Sequence, residues 1–579
     1  MELKIAYLGP LTTQADILAR IQEHHPVVAI DTETIGLKDR TCIGIGVCIA
    51  PDERFYIQVL PETSPLLPYV LRMLADPTVT HVYHNGIYDL GVISHLVSQL
   101  GRDEYPDYSN IQDTMLMAKI QGREGDLLTL AVEYLGFEPW TGIQQLLEVS
   151  GGLSARGLPR KAKNMLEVPW EKTAFKCLRD AQATFNLYYK LNRMWRSEEN
   201  RGCYEVDRKL IQVLHRMEAK GLALNQARVK DYYAKYAHEK LEYTDLCDSM
   251  GFNPGSGSQV GLVLAGRGVF LPFTKSGKQL RTDEETLEKV NDPVAHMVLK
   301  YRKCDKLLGT YFRPYLDADR AYTHFRIDLA TGRLASGQFE QHNHVCRNLQ
   351  NIPPSIRDIY EPDTGTWTNP DFSQLEMRVF AAWSHNQTML DAYREGRDIH
   401  ALTHQAIFPG HDESYYLKEN LTLASDSERT VGKTFNFQVI FDASTYSLST
   451  QCKRPEVWCA GAKSKWFATY PGAYEFIQEQ KQKTEPWCRD MFDRYMLLPD
   501  AEERGLDHVQ KCRVNWPVQA TGASIVKRGL LMLAETDNRL QIHDEYLLDG
   551  DYDIGKDDFA RVHSEVWTPV DTKKGPVWK

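Results

Sequence analysis

No CxxC pair occurs among the eleven cysteines of this 579-residue chain, and their spacing is irregular. That pattern excludes a zinc ribbon and a disulfide frame and reads as reduced thiols in a cytosolic protein. No uninterrupted apolar run reaches transmembrane length, and the start, Met1-Glu2-Leu3-Lys4-Ile5, lacks the apolar core of a signal peptide. The expectation is a soluble, cytoplasmic protein. Internal repeats and low-complexity tracts are missing too, which argues against a repeat array or a disordered tail. An excess of positive charge is also missing: the formal charge is −10. Indiscriminate coating of nucleic acid is therefore not expected, although a total says nothing about a local basic groove. An acidic total also fits carboxylates concentrated around metal ions.

What is there is an ordinary globular composition, 42% hydrophobic and 25% charged, with ample core. The length suggests about four domain-sized units. The most informative stretch lies near the end, Gln541-Ile542-His543-Asp544-Glu545-Tyr546. Leu540 and Ile542 alternate before it, Tyr546 and Leu548 after it, so it reads as a strand, a tight turn and a second strand. The hairpin would carry Asp544 and Glu545 at its tip. Adjacent carboxylates repel unless a cation neutralises them, and oxygen-only ligands suit Mg²⁺. A second carboxylate site stands upstream, where a strand over 366–372 ends at Asp371 and a helix from about Gln374 carries Glu376. Between the two, a predicted helix over 427–440 places Arg429, Lys433 and Phe437 at four-residue spacing and so on one face. "GRDIHALTH", 396–404, adds His400. Two cations and an aromatic plane suit a triphosphate and a base, and the two carboxylate sites suit two-metal phosphoryl transfer.

The first third of the chain carries a separate acidic set. Val27–Ile30 form a β-branched run that ends in "DTET", 31–34. Residues two apart share a face of a strand, so Asp31 and Glu33 point the same way. A second strand around His81–His84 runs through Asn85-Gly86 into a helix bearing Asp89, and a third helical stretch bears Asp180. "HNGIYDLGVI" at 84–93, "QDTML" at 112–116 and "RDAQATFNLYYKL" at 179–191 complete a pattern that resembles the DEDD 3′→5′ exonucleases, with an RNase H-like mixed sheet. That resemblance implies Asp31, Glu33 and Asp180 on one metal and Asp31 with Asp89 on another, with Asp113 structural. The family's tyrosine four residues before the last aspartate is replaced here by Lys176. The replacement either weakens the exonuclease or hands water positioning to the lysine.

After a charged connector at about Lys190–Arg201 comes a long helical pattern over 207–250 that Gly221 interrupts. The Gly-, Ser- and Lys-rich stretch 253–290 could track a phosphate backbone. "TGRLAS", 331–336, "NLQNIP", 348–353, and "NWPVQATGASIVKRG", 515–529, supply Arg333, Gln350, Asn515 and Gln519. Donors of this kind can touch purine N3 and pyrimidine O2, which every Watson–Crick pair presents alike in the minor groove.

Together, "DFSQLEMR" (371–378), "RTVGKTFNFQVIFD" (429–442) and "HDE" (543–545) closely resemble motifs A, B and C of the family A DNA polymerases, in the proofreading large-fragment form. A phage-like member fits best. The closing "GPVW", 575–578, resembles the family's end. The resemblance spans nearly the whole chain and implies an α/β and α+β multidomain protein. The exonuclease domain would occupy 1–195, and the start of the polymerase domain with the thumb 196–330. The palm with motif A would occupy 331–390, the fingers with motif B 391–490, and the palm with motif C and the C-terminus 491–579. It also implies two Mg²⁺ in each active site, with Mn²⁺ as an alternative ion. Asp371, Asp544 and the Phe372 carbonyl would hold the polymerase metals, with Glu545 beside them. Arg429, Lys433 and His400 would bind the triphosphate, Lys433 doubling as an acid for the leaving group. Phe437, Phe441 and Glu376 would line the nucleotide pocket. Arg333, Gln350, Asn515, Gln519 and His543 would contact DNA. The implied partners are primer–template DNA and dNTPs, and a processivity factor or other replisome protein is compatible with them. Motif B ends in Phe441-Asp442 where the family generally has Tyr-Gly.

Two other classes compete. A single-subunit RNA polymerase shares such a palm but needs neither the N-terminal domain nor Glu376 at the ribose 2′ position. A DEDD nuclease with a DNA-gripping C-terminal half would lack a polymerase carboxylate, and both Asp371 and Asp544 are present.

Overall fold

The computed structural model describes residues 5–578 apart from 12, 37–38, 104, 151–160, 275, 338–339, 342–343 and 411–425. In the N-terminal third, six strands form one mixed sheet in the order β1-β4-β3-β2-β5-β6. They are β1 (Ile5–Leu8), β2 (Val27–Thr34), β3 (Cys42–Ala50), β4 (Glu53–Gln58), β5 (Thr80–Tyr83) and β6 (Ile111–Asp113). β2 pairs antiparallel with β3 and parallel with β5. Its Val28, Ala29 and Ile30 are at most 1% exposed. Burying a side chain of the Val or Ile kind stabilises by about 1.5–3 kcal/mol, so the register of β2 is held by its core face. Helix α1 (Gly86–Gln99) follows β5 after Asn85, which takes a positive φ of 72°. Asp113 accepts from the backbone N–H groups of Gly86 (2.7 Å), Met115 (2.9 Å) and Leu116 (3.1 Å). It ties the start of α1 to the helix Thr114–Ile120, the structural role expected for it.

Helix α2 (Trp170–Leu191) crosses the sheet. It can do so closely because β3 has Gly46 opposite Asp31; a Cβ there would lie 2.7 Å from Cys177 Sγ. The expected connector after α2 is shorter than the charge run suggests. α2 runs to Leu191 and α3 (Glu198–Lys220) begins with Ser197 capping Asn200 N at 3.0 Å. Gly221, at φ 57°, then ends α3 where the sequence pattern breaks.

The second sheet has four antiparallel strands. β7 (Trp367–Phe372) lies between β9 (Glu545–Asp549) and β10 (Val570–Gly575), and β8 (Asn538–Ile542) pairs with β9. Across its face lie α4 (Leu375–Trp383) and the long α7 (Leu506–Met532). Tyr546 is fully buried and its hydroxyl donates to Val526 O of α7 at 2.7 Å. Beside this layer, α5 (Ile399–Ile407) packs on α6 (Asp426–Ile440). Gly432 permits that contact, since a Cβ would meet His400 O and His404 Cβ at 3.2 Å. Buried ions tie α3 to α7: Asp207 of α3 accepts from Arg494 (2.8 and 2.9 Å) and from Lys527 of α7 (2.9 Å). No disulfide joins the described cysteines. No helix among the described residues is long and apolar enough to cross a membrane.

Candidate active site

β7 and the β8–β9 hairpin bring the late carboxylates together. Ile542 and Glu545 are paired across a two-residue turn of His543 and Asp544, with His543 at φ 49°. Asp544 therefore sits at the tip, while Glu545 is already in β9, opposite Asp371 of β7. The Phe372 amide donates to Asp544 O at 3.0 Å, locking the strand end to the hairpin. Its ring packs against Tyr546 and Phe559 at 5.9 and 5.8 Å. Burial, then the neighbouring Asp544 charge, raises the Asp371 pKa to about 6. Burial, then the Glu376 charge, raises Asp544 to about 6. Burial raises Glu545, against the pull of Arg357, whose Nη2 lies 3.0 Å from it. Oxygen donors with unbalanced negative charge fit a hard divalent cation, and Asp371, Asp544 and Glu545 are such a set.

A cavity of about 350 Å³ opens beside Asp544. Arg333, Glu376, Phe437, Gln519 and His543 line it, from five separate segments. Arg333 and Glu376 form an ion pair across it. Gln350 also borders the cavity, but its amide is committed internally: Oε1 accepts from Ser336 N at 2.8 Å and Nε2 donates to Gln541 O at 3.0 Å. It therefore fixes the 331–336 segment to β8. Asn515 is half-buried on α7 and is not among the cavity-lining residues, unlike Gln519 one turn on.

α6 presents Phe437, half-buried, and Lys433, exposed, on the same face. The side chain of Arg429 lies outside the described residues. His400 is buried with its ring 5.8 Å from Phe437. Asn436 Oδ1 accepts from Thr403 Oγ1 and Trp466 Nε1, both at 2.7 Å. An indole can only donate, so the Asn436 amide nitrogen faces His400 Nδ1, at 2.9 Å. Nδ1 accepts, which leaves the proton of the neutral ring on Nε2. At the end of the motif, Phe441 is half-buried and Asp442 takes φ 54°, a region glycine enters freely. The Asp442 carboxylate pairs with Lys481 at 2.7 Å and Lys463 at 4.0 Å.

In the first sheet, Asp31, Glu33 and Asp180 do converge, and the Lys176 ammonium stands among them. Its Nζ is 2.7 Å from Glu33, 2.6 Å from Asp180 and 3.9 Å from Asp31. Lys176 and Asp180 are one turn apart on α2. Burial alone would lower the Lys176 pKa, but Glu33, Asp180 and Asp31 outweigh it and hold the ammonium charged. The other Asp180 oxygen accepts from Trp140 Nε1 at 2.6 Å. Asp89 accepts from Thr32 N (3.0 Å) and Thr32 Oγ1 (2.6 Å), and burial raises its pKa to about 7. Three of the four expected carboxylates, Asp31, Glu33 and Asp180, thus face a cation that belongs to the chain and stands where a metal shared by the three would lie, while Asp89 is held by Thr32. The ligand atoms of Asp31, Glu33 and Cys177 lie within 4.8 Å of one another.

Two family descriptions match the sequence: DNA polymerase family A over residues 223–566, more than half of the chain, and 3′-5′ exonuclease over residues 10–196. The chain belongs to DNA polymerase family A.

Its relatives include DNA polymerase I of Chloroflexus aurantiacus, 27% identical over 98% of this chain and 62% of that protein. DNA polymerase I of Treponema pallidum is 25% identical over 90% of this chain and 57% of that protein. The chain therefore spans less than two thirds of the length of these relatives. The polymerase domain of Pol1 from M. smegmatis, solved with DNA primer-template and dNTP, shares the fold: TM-score 0.73, 19% identity, 97% of this chain and 98% of that one.

Sequence reasoning passed over four supporting residues of this family A chain. Arg357 faces Glu545, Asn436 orients His400, Lys527 pins α7 to Asp207, and Trp140 holds Asp180. Asn436 and Lys527 stand inside the stretches 429–442 and 515–529 singled out in the sequence; the signals at Arg357 and Trp140 exist only in three dimensions.

Two expected outcomes follow from these charges. A carboxylate with a raised pKa lets the folded state keep a proton that the unfolded state has released, so it costs stability as pH rises from about 4 to about 6 and above. Asp544→Asn should therefore raise the melting temperature of the metal-free protein at pH 7.5, with the gain shrinking as pH falls below 6. The size is a few degrees, since about 1 kcal/mol moves a large domain by roughly 2–4 °C. Thermal melts in EDTA across pH check this. Separately, if the cavity takes a nucleotide, Glu376→Ala should admit ribonucleotides more readily, because it opens the cavity beside Phe437. The ratio of kcat/KM for rNTP and dNTP reads it; an unchanged ratio places the sugar gate elsewhere.

Proposed function

We propose that the chain is a template-directed DNA polymerase that adds dNTPs to a primer 3′-OH, with an associated 3′→5′ exonuclease domain. One observation carries the reading: Asp544, Glu376, Phe437, Arg333 and Gln519, from separate segments, line one cavity, and Asp371 stands on the strand beside it. In this reading residues 1–195 are the exonuclease domain, 196–330 the thumb region, 331–390 and 491–579 the palm, and 391–490 the fingers.

Mg²⁺ held by Asp371 and Asp544, with the Phe372 carbonyl, would activate the 3′-OH and neutralise the triphosphate charge. The chain's own residues do the rest. Lys433 and Arg429, one helical turn apart, take the triphosphate, and Lys433 donates the proton that leaves with pyrophosphate. His400 offers Nε2–H, held in that tautomer by Asn436. Phe437 and Phe441 present apolar faces to the incoming nucleotide. Arg333 leaves Glu376 to reach the primer-terminal minor groove, and Gln519, Asn515 and His543 add contacts to the duplex. Gln350 acts by holding the Arg333 segment in place. Glu545 stays beside the metals, tethered by Arg357.

The test is a 5′-labelled primer on a longer DNA template with Mg²⁺, with and without dNTPs. The expected products are full-length extension with dNTPs and little extension with rNTPs. Shortening alone, under both conditions, would favour the nuclease reading.

A further inference from the structure

We propose that Lys176 is a tethered cation that fills the metal position of the exonuclease-like carboxylate cluster, so that divalent ions bind there weakly and primer ends are degraded slowly. The inference rests on the exonuclease reading of the first domain and narrows it. Its ground is geometric. The Lys176 ammonium contacts Glu33 at 2.7 Å and Asp180 at 2.6 Å and lies 3.9 Å from Asp31, which is the space a divalent ion would need. It is only 11% exposed, and Glu33 is 1% exposed, so water does not screen the pair. Lys176 has little freedom to leave. Its helix is pressed onto β3 at Gly46, and one turn on, Asp180 is clamped from its other side by Trp140 at 2.6 Å. Arg179 in turn lies over the rings of Phe137 and Trp140, at 4.1 and 5.6 Å. Asp89 is likewise occupied, by both donors of Thr32. An arriving divalent ion meets like charge at contact distance, and Glu33 Oε1 and both Asp180 oxygens are already engaged, while Asp31 Oδ2 makes no hydrogen bond.

Mn²⁺ binding to the full-length chain separates the possibilities without relying on catalysis. The palm site is first disabled with Asp371→Asn and Asp544→Asn, and free Mn²⁺ is followed by its paramagnetic resonance. In that background the chain with Lys176 should show no site that Asp31→Ala removes. Lys176→Tyr should create one such site, at least tenfold tighter than any weak binding in the parent. On single-stranded DNA, and with the palm intact, Lys176→Tyr should raise 3′ degradation at least tenfold. A strong Mn²⁺ site in the Lys176 chain that disappears with Asp31→Ala would overturn the proposal, and so would a fall in degradation in Lys176→Tyr. The first comparison uses the native lysine, so it stands even where Lys176→Tyr folds poorly. Failure of primer extension, measured on the chain with an intact palm, would reject the polymerase reading and leave the Mn²⁺ result unaffected.

Discussion

Asp371→Ala or Asp544→Ala should abolish nucleotide addition while primer–template binding stays within a fewfold of the parent. Asp371 ends β7 and Asp544 caps the hairpin that pairs with it, so either loss removes one side of the acidic set. Charge stabilisation of a transferring phosphoryl group by bound metal is worth several kcal/mol, which is about a thousandfold or more in rate. In the proposed reading, duplex grip draws on other groups: phosphate contacts and the minor-groove donors. The two quantities should therefore separate. Both aspartates are half-buried, and each substitution removes a charge that burial, and then a neighbouring carboxylate, disfavours, so the variants should fold. Single-turnover addition and fluorescence anisotropy of labelled duplex measure the two terms. Extension at the parent's rate by either variant would remove that aspartate from the site.

Phe437→Tyr should bring dideoxynucleotides close to parity with dNTPs, from a parent that discriminates strongly. Phe437 faces the cavity from α6 and offers only an apolar ring. A dNTP can use its own 3′-OH to hydrogen-bond its triphosphate. A chain terminator lacks that hydroxyl, leaving one charged oxygen short of a partner. The loss is typically about 1.5–3 kcal/mol, roughly ten- to a hundredfold or somewhat more in rate. A tyrosine would restore a hydroxyl at nearly unchanged ring volume. Competition between ddNTP and dNTP at one template position reads the ratio directly. Free acceptance of terminators by the parent would place Phe437 away from the nucleotide.

Much of this architecture is legible in the chain because it is local. Period-two alternation around His543-Asp544 specifies the hairpin, four-residue spacing puts Lys433 and Phe437 on one face, and Gly221 stops a helix. The motif order then carries the likeness to the family. What stays hidden depends on long-range meetings. That Lys176 replaces a tyrosine is readable; that its ammonium reaches Glu33 across 143 residues is not. Asp442 reads as a departure from the family's Tyr-Gly at the end of motif B; that Lys481 and Lys463 claim its carboxylate from later helices is not readable. Gln350 reads as a DNA contact, but Ser336 and Gln541 use its amide. Buried polar side chains find partners wherever the fold offers them, and spacing along the chain does not announce which.

The central claim is that the Asp371–Asp544 cavity performs templated addition. The most direct measurement offers each dNTP singly, with Mg²⁺, to a labelled primer facing each of the four template bases. The expected result is one-nucleotide extension by the complementary dNTP in every case, with mismatched dNTPs at least about a hundredfold slower. Addition indifferent to the template base, or no addition beside intact duplex binding, would contradict it.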